Sequence, residues 1–99
     1  LGLGTDGHTA SLFHNDKKLA MALSTDNTSL FHSVESSNKF SERITFTYRF
    51  LSEASKKYLY IVGNEKLATI KLALKQDNPI KMPICAFLRN PISIYWSPK

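Results

Sequence analysis

The apolar run Tyr58-Leu59-Tyr60-Ile61-Val62 stops at Gly63 and gives way almost at once to a helical pattern. No other stretch limits the fold so strongly. A short, nearly continuous apolar run ending at glycine suits a buried parallel strand. From Glu65 to Lys75, Leu67, Ile70 and Leu74 recur at helical spacing, with Lys71 and Lys75 turned outward. Pro79 and Pro83 then break the chain, and Ile92-Ser93-Ile94-Tyr95-Trp96 reads as a further strand.

The rest of the chain extends the alternation. Leu1-Gly2-Leu3-Gly4 reads as the end of a strand. Residues 2–8 hold three of the 4 glycines, and Thr9 to Phe13 read as the start of a helix. Leu19-Ala20-Met21-Ala22-Leu23 is expected to be a short strand, although periodicity alone also allows a helix. Residues 24–42 are rich in Ser, Thr and Asn and read as a long loop anchored by Phe31 and Val34. Arg43-Ile44-Thr45-Phe46-Thr47-Tyr48 alternates β-branched and aromatic residues, a strand pattern. Phe50 to Lys57 reads as a short helix with lysines in its last turn. Strand, helix, strand, helix, strand argues an α/β fold with a mainly parallel sheet. With 99 residues there is room for one small domain. Because Leu1 falls inside strand-like sequence, residues 1–99 are expected to be the C-terminal part of a single, longer domain.

Charge narrows the partners. Net charge is +5, with 13 Lys and Arg against 8 acids. That suits an anionic partner, small or polymeric. The lysines are scattered, however, and no basic stripe is interleaved with aromatics, so no nucleic-acid partner is expected. No apolar run approaches the roughly 18 residues a membrane helix needs, so no membrane partner is expected either. Cys85 is the single cysteine and lies in apolar sequence. It reads as core filler in a cytoplasmic protein. Oligomeric state is left open.

In open α/β sheets, ligands sit beyond the carboxyl ends of strands. Gly4-Thr5-Asp6-Gly7-His8 and Gly63-Asn64-Glu65-Lys66 both have that address. In the first, Gly4 and Gly7 allow a tight turn whose N–H groups approach a ligand. Asp6 and His8 lie two apart, so a carboxylate can orient an imidazole as a general base. The positive end of the expected helix after His8 would disfavour an imidazolium. A plainer reading stands beside this one: Asp6 closes an Asx-type turn and His8 packs against the next loop. His8, His14 and His32 show no metal-ligand spacing, so no metal is expected. His14 and His32 read as solvent-exposed loop residues.

The longer string resembles a known signature. Leu1-Gly2-Leu3-Gly4-Thr5-Asp6-Gly7-His8-Thr9-Ala10-Ser11-Leu12-Phe13 is similar to the G-x-G-x-D-G-H-T-A-S-L-F motif of 6-phosphogluconolactonases. Arg43-Ile44-Thr45-Phe46-Thr47 resembles that family's R-I-T-L-T strand, Gly63-Asn64-Glu65-Lys66 its G-x-x-K turn, and Ile94-Tyr95-Trp96 its closing strand. His14 and Tyr48 depart from it, each standing where proline is common. The resemblance implies a Rossmann-like domain, a phosphate loop upstream of Leu1, and cofactor-free hydrolysis of 6-phospho-D-glucono-1,5-lactone to 6-phospho-D-gluconate in the oxidative pentose phosphate pathway. His8 and Asp6 would be catalytic, with Gly4 and Gly7 supplying oxyanion donors. Lys66 and then Arg43 would bind the phosphate, although a surface lysine and a structural salt bridge are the plainer readings of those two. Thr9 would touch substrate or cap a helix. Two alternatives remain: a glucosamine-6-phosphate deaminase or isomerase, and a non-catalytic fragment that binds anions or nucleic acid.

Overall fold

The computed structural model describes residues 1–35 and 43–99. Its strongest element pair is the one the sequence marks first. Strand β3 (Tyr58–Val62) lies parallel to β4 (Ser93–Ser97), in register from Tyr58 opposite Ser93 to Val62 opposite Ser97. Between them run α3 (Asn64–Gln76) and α4 (Ile84–Leu88). Gly63 makes the strand-to-helix turn at φ 95°, a conformation open to glycine and strained for side-chain-bearing residues. On the other side of β3, the Leu1 amine donates to the Tyr58 carbonyl at 2.8 Å, and the Tyr60 N–H donates to the Leu1 carbonyl at 3.3 Å. Leu1 to Leu3 thus run beside β3, as the strand-end reading expects.

Four local expectations change. Leu19–Leu23 is a helix, α1, not a strand. Leu, Ala and Met are strong helix formers and the run has no β-branched residue. Its buried residues, Leu19 and Ala22, lie three apart. The expected long loop contains β1 (Phe31–Ser33), antiparallel to β2 (Ile44–Phe46). The following helix α2 is Tyr48–Ser52, earlier than expected, because the Thr47 side chain accepts from the Phe50 N–H and starts it there. Pro83 does not end an element but opens α4, since proline suits the first helical turn. Residues 36–42 of the expected loop lie outside the described residues. The described architecture is mixed α/β, with one parallel and one antiparallel strand pair.

Burial also differs from the reading of β3 as wholly buried. Only Leu59 and Ile61 face the core, while Tyr58, Tyr60 and Val62 are exposed. On α3 the buried stripe is Thr69, Ile70 and Ala73; Leu74, expected inward, is exposed. Leu59, Ile61 and Ile70 join Leu3, Leu12, Leu19, Ile84 and Phe87 in one core. Full burial contributes roughly 1.5–3 kcal/mol for each such side chain. Cys85 lies in this core with its thiol on the Ala73 carbonyl at 3.3 Å, and burial pushes its pKa up. A core filler is the right description.

This core reaches the candidate site through Gly7. Gly7 is buried at φ 90°, its carbonyl accepts from the Ile84 N–H at 2.9 Å, and an added Cβ would lie 2.7 Å from the Met82 Cβ. Gly7→Ala combines a left-handed backbone with a packing clash. It is expected to destabilise the fold by about 2 kcal/mol or more. The urea midpoint of unfolding measures this, and an unchanged midpoint would contradict the tight approach of this loop to Met82.

Candidate active site

The Gly4–His8 segment follows Leu1–Leu3, past the carboxyl end of β3. It closes on itself: the Gly7 N–H donates to the Gly4 carbonyl and the Gly4 N–H to the His8 carbonyl, both at 2.9 Å. Inside this loop the His8 Nδ1 lies 2.6 Å from Asp6 Oδ1. The same oxygen accepts from the His8 backbone N–H at 3.0 Å. The Asx-type turn and the carboxylate–imidazole contact therefore occur together. Asp6 closes a local turn, and that turn aims the carboxylate at the ring. The Phe13 ring lies against the imidazole, with centroids 4.7 Å apart.

Partial burial of Asp6 works to raise its pKa, but the backbone and ring hydrogen bonds from His8 outweigh it, and the carboxyl ends below its ordinary value. Asp6 is thus a carboxylate at neutral pH and can only accept, so Nδ1 carries the proton in this contact. The Nε2 of a neutral ring is then the basic nitrogen. His14, an exposed residue as expected, places its Nδ1 3.6 Å from the other Asp6 oxygen.

The helix expected to start after His8 is absent. Ala10 is left-handed at φ 51°, and the Leu12 N–H bonds back to the Thr9 carbonyl at 3.0 Å, so residues 9–12 form a turn. The dipole expected from that helix is therefore missing at His8. The glycine N–H groups expected to meet an oxyanion are also engaged, because the same two hydrogen bonds that close the loop consume them. Thr9 is 1% exposed and donates its hydroxyl to the Gly2 carbonyl at 2.7 Å. It fastens the loop's base, and neither expected role, substrate contact or helix cap, fits that position.

Lys66 comes to the site from α3. Its ammonium donates to the Leu3 carbonyl, one residue before Gly4. The hydroxyl of Thr69, one turn further on, bonds mainly to the Glu65 carbonyl at 2.9 Å and lies 3.5 Å from the Thr5 carbonyl. The two loop addresses in the sequence thus meet in space. Arg43 stands at the start of the hairpin's second strand, where its carbonyl accepts from the Val34 N–H at 2.9 Å. Two residues on, Thr45 Oγ1 accepts from the Ser11 N–H at 3.1 Å, so this hairpin touches the segment after His8. Among the described residues no group of three or more His, Cys, Asp or Glu side chains is placed to hold a metal, and no helix is long and apolar enough to cross a membrane.

A carboxylate–imidazole pair held on a glycine loop, with a lysine from the adjoining helix beside it, is an arrangement suited to acid–base chemistry. The chain belongs to the glucosamine-6-phosphate isomerases/6-phosphogluconolactonase family, whose model matches residues 1–96. Within it, the chain is 39% identical over 98 residues to a 6-phosphogluconolactonase of Pseudomonas aeruginosa, covering 99% of this chain and 41% of that protein. It is 37% identical over 101 residues to the 6-phosphogluconolactonase of Rhizobium meliloti, covering 99% and 44%. The crystal structure of a 6-phosphogluconolactonase from Shewanella baltica superposes with a TM-score of 0.89 at 34% identity, over 98% of this chain and 42% of that one. The chain spans about two-fifths of the length of the curated relatives it matches.

Proposed function

We propose that these residues supply the general-base part of a 6-phosphogluconolactonase active site, which opens 6-phospho-D-glucono-1,5-lactone to 6-phospho-D-gluconate in the oxidative pentose phosphate pathway. The 2.6 Å contact of His8 Nδ1 with Asp6 Oδ1 carries the reading. It leaves Nε2 to take a proton from water as the water oxygen attacks the lactone carbonyl. The tetrahedral intermediate then collapses, the bond from the carbonyl carbon to the ring oxygen breaks, and that oxygen leaves as a hydroxyl with the proton held by His8. Asp6 steadies the imidazolium between the two transfers. The oxyanion draws on donors other than the Gly4 and Gly7 N–H groups, which the loop has used. In this reading β3, β4 and the Leu1–Leu3 segment belong to a Rossmann-like, mainly parallel sheet.

Lys66 is the phosphate ligand we favour, exchanging its Leu3 carbonyl for a phosphate oxygen, with Arg43 second. A charge-assisted hydrogen bond kept through the reaction contributes to ground and transition states alike. In the protein that carries this chain, Lys66→Ala is expected to raise KM about tenfold and leave kcat within a factor of about two. Steady-state hydrolysis of the phosphorylated lactone measures both. An unchanged KM would move the phosphate to Arg43 or elsewhere. Hydrolysis no faster than the spontaneous reaction in the unaltered protein would end the lactonase reading altogether.

A further inference from the structure

The sequence places His32 in a solvent-exposed loop, and the structure buries it. Its side chain is 5% exposed and that of Asp16 is 0%, and His32 Nε2 lies 2.6 Å from Asp16 Oδ2. The other carboxylate oxygen accepts from the backbone N–H groups of Lys18 at 2.9 Å and Glu35 at 3.0 Å. A buried carboxylate with three donors is fully ionised near neutral pH. Burial works to raise its pKa, and the bonds from Lys18, His32 and Glu35 overcome this and lower it. The pair has no place in the proposed chemistry, yet it ties Asp16, a residue of the segment that follows the catalytic loop, to the β1–β2 hairpin.

The register shows why this bears on the site. His32 and Thr45 are directly opposite each other across the hairpin, and both are the inward residue of their strands. Side by side on that face they grip one segment at two points. Thr45 takes the Ser11 N–H at 3.1 Å, and His32 takes Asp16 at 2.6 Å. Between those points lies Phe13, 4% exposed, with its ring 4.7 Å from the His8 imidazole by centroids.

We propose that the buried Asp16–His32 pair, together with Thr45 beside it, is a positioning clasp that holds residues 11–16 against the hairpin and so fixes the Phe13 ring that backs the catalytic imidazole. His32 and Asp16 are positioning residues in this inference, which rests on the reading of Asp6 and His8 as the base. Removing the imidazole leaves the buried Asp16 Oδ2 without its partner, and the segment must shift to hydrate it. A misplacement on the scale of an ångström at the chemistry lowers rate steeply while substrate contacts made elsewhere persist.

The test compares His32→Leu with His32→Gln in the protein that carries this chain. A glutamine amide reaches the place of Nε2 and can donate to Asp16; leucine cannot. His32→Leu is expected to lower kcat about tenfold per folded molecule, with KM within a factor of about two. His32→Gln should recover most of that loss. Amide hydrogen exchange at Ser11 supplies a readout without substrate: protection should fall in His32→Leu and return in His32→Gln. If His32→Leu does not fold, Thr45→Val serves in its place. It removes the acceptor for Ser11 while leaving the Asp16–His32 pair intact, and should lower kcat at constant KM in the same way. Reduced yield of folded protein with unchanged kcat and unchanged Ser11 protection would overturn the clasp. His8→Ala, run alongside, separates the two ideas. If it leaves activity in place, the base assignment has failed; if it abolishes activity while the variant tested keeps normal kcat, only the clasp has.

Discussion

Alanine in place of His8 is expected to lower lactone hydrolysis by ~10²-fold or more, the usual scale for a lost general base. The loss should fall on kcat, because the imidazole acts when the proton moves rather than when the phosphate binds. The structure narrows the expectation further. His8 is partly exposed, and its polar contacts are to its own loop: Nδ1 and its N–H to Asp6, its carbonyl to Gly4. Alanine keeps both backbone bonds and removes only the ring, so the fold should hold. A variant that is folded by near-ultraviolet circular dichroism and retains more than about a third of wild-type kcat would remove His8 from the chemistry.

Gly4→Ala should come close to the same loss by displacement rather than deletion. A Cβ on Gly4 would overlap Cε1 and Nδ1 of His8 and lie 3.0 Å from Asp6 Oδ1. The ring cannot stay on its carboxylate with that methyl in place. Once it turns away, Nδ1 loses the partner that fixes its proton, and Nε2 loses the orientation that the proposed base requires. We expect kcat to fall by ~10²-fold from misplacement alone. Stability should change less than in Gly7→Ala, for a physical reason. Gly4 does not have the positive φ of Gly7, and the atoms in its way belong to a partly exposed side chain, whereas those facing Gly7 include the Met82 backbone. Comparing kcat and unfolding midpoint for the two alanine variants would show the separation. Equal stability losses with normal kcat in Gly4→Ala would mean that His8 does not sit where it is placed here.

These two glycines also show how far local sequence reasoning reaches. Both belong to a turn legible in the string, and the string correctly pairs Asp6 with His8. It also suggests that glycine N–H groups await an oxyanion, and there it misleads. A loop this tight satisfies its own donors, and only the hydrogen bonds from Gly4 to the His8 carbonyl and from Gly7 to the Gly4 carbonyl reveal it. The missing helix after His8 has a similar origin. Thr9 and Ser11 are held by the Gly2 carbonyl and by Thr45, and such contacts across the fold override the weak helical preference of a short segment. A better signal existed for α1, since Leu19–Leu23 contains only strong helix formers.

Sequence by itself determined what depends on neighbours along the chain. The apolar run from Tyr58 to Val62 and the glycine at 63 set the strand-to-helix turn, and Asp6 and His8, flanking Gly7, set the carboxylate on the imidazole. Tertiary structure decided what depends on partners far away: the meeting of Lys66 with the Leu3 carbonyl, the burial of His32 on Asp16, and the grip of Thr45 on Ser11. Burial makes those contacts binding, because a polar group removed from water must find a partner wherever the fold brings one.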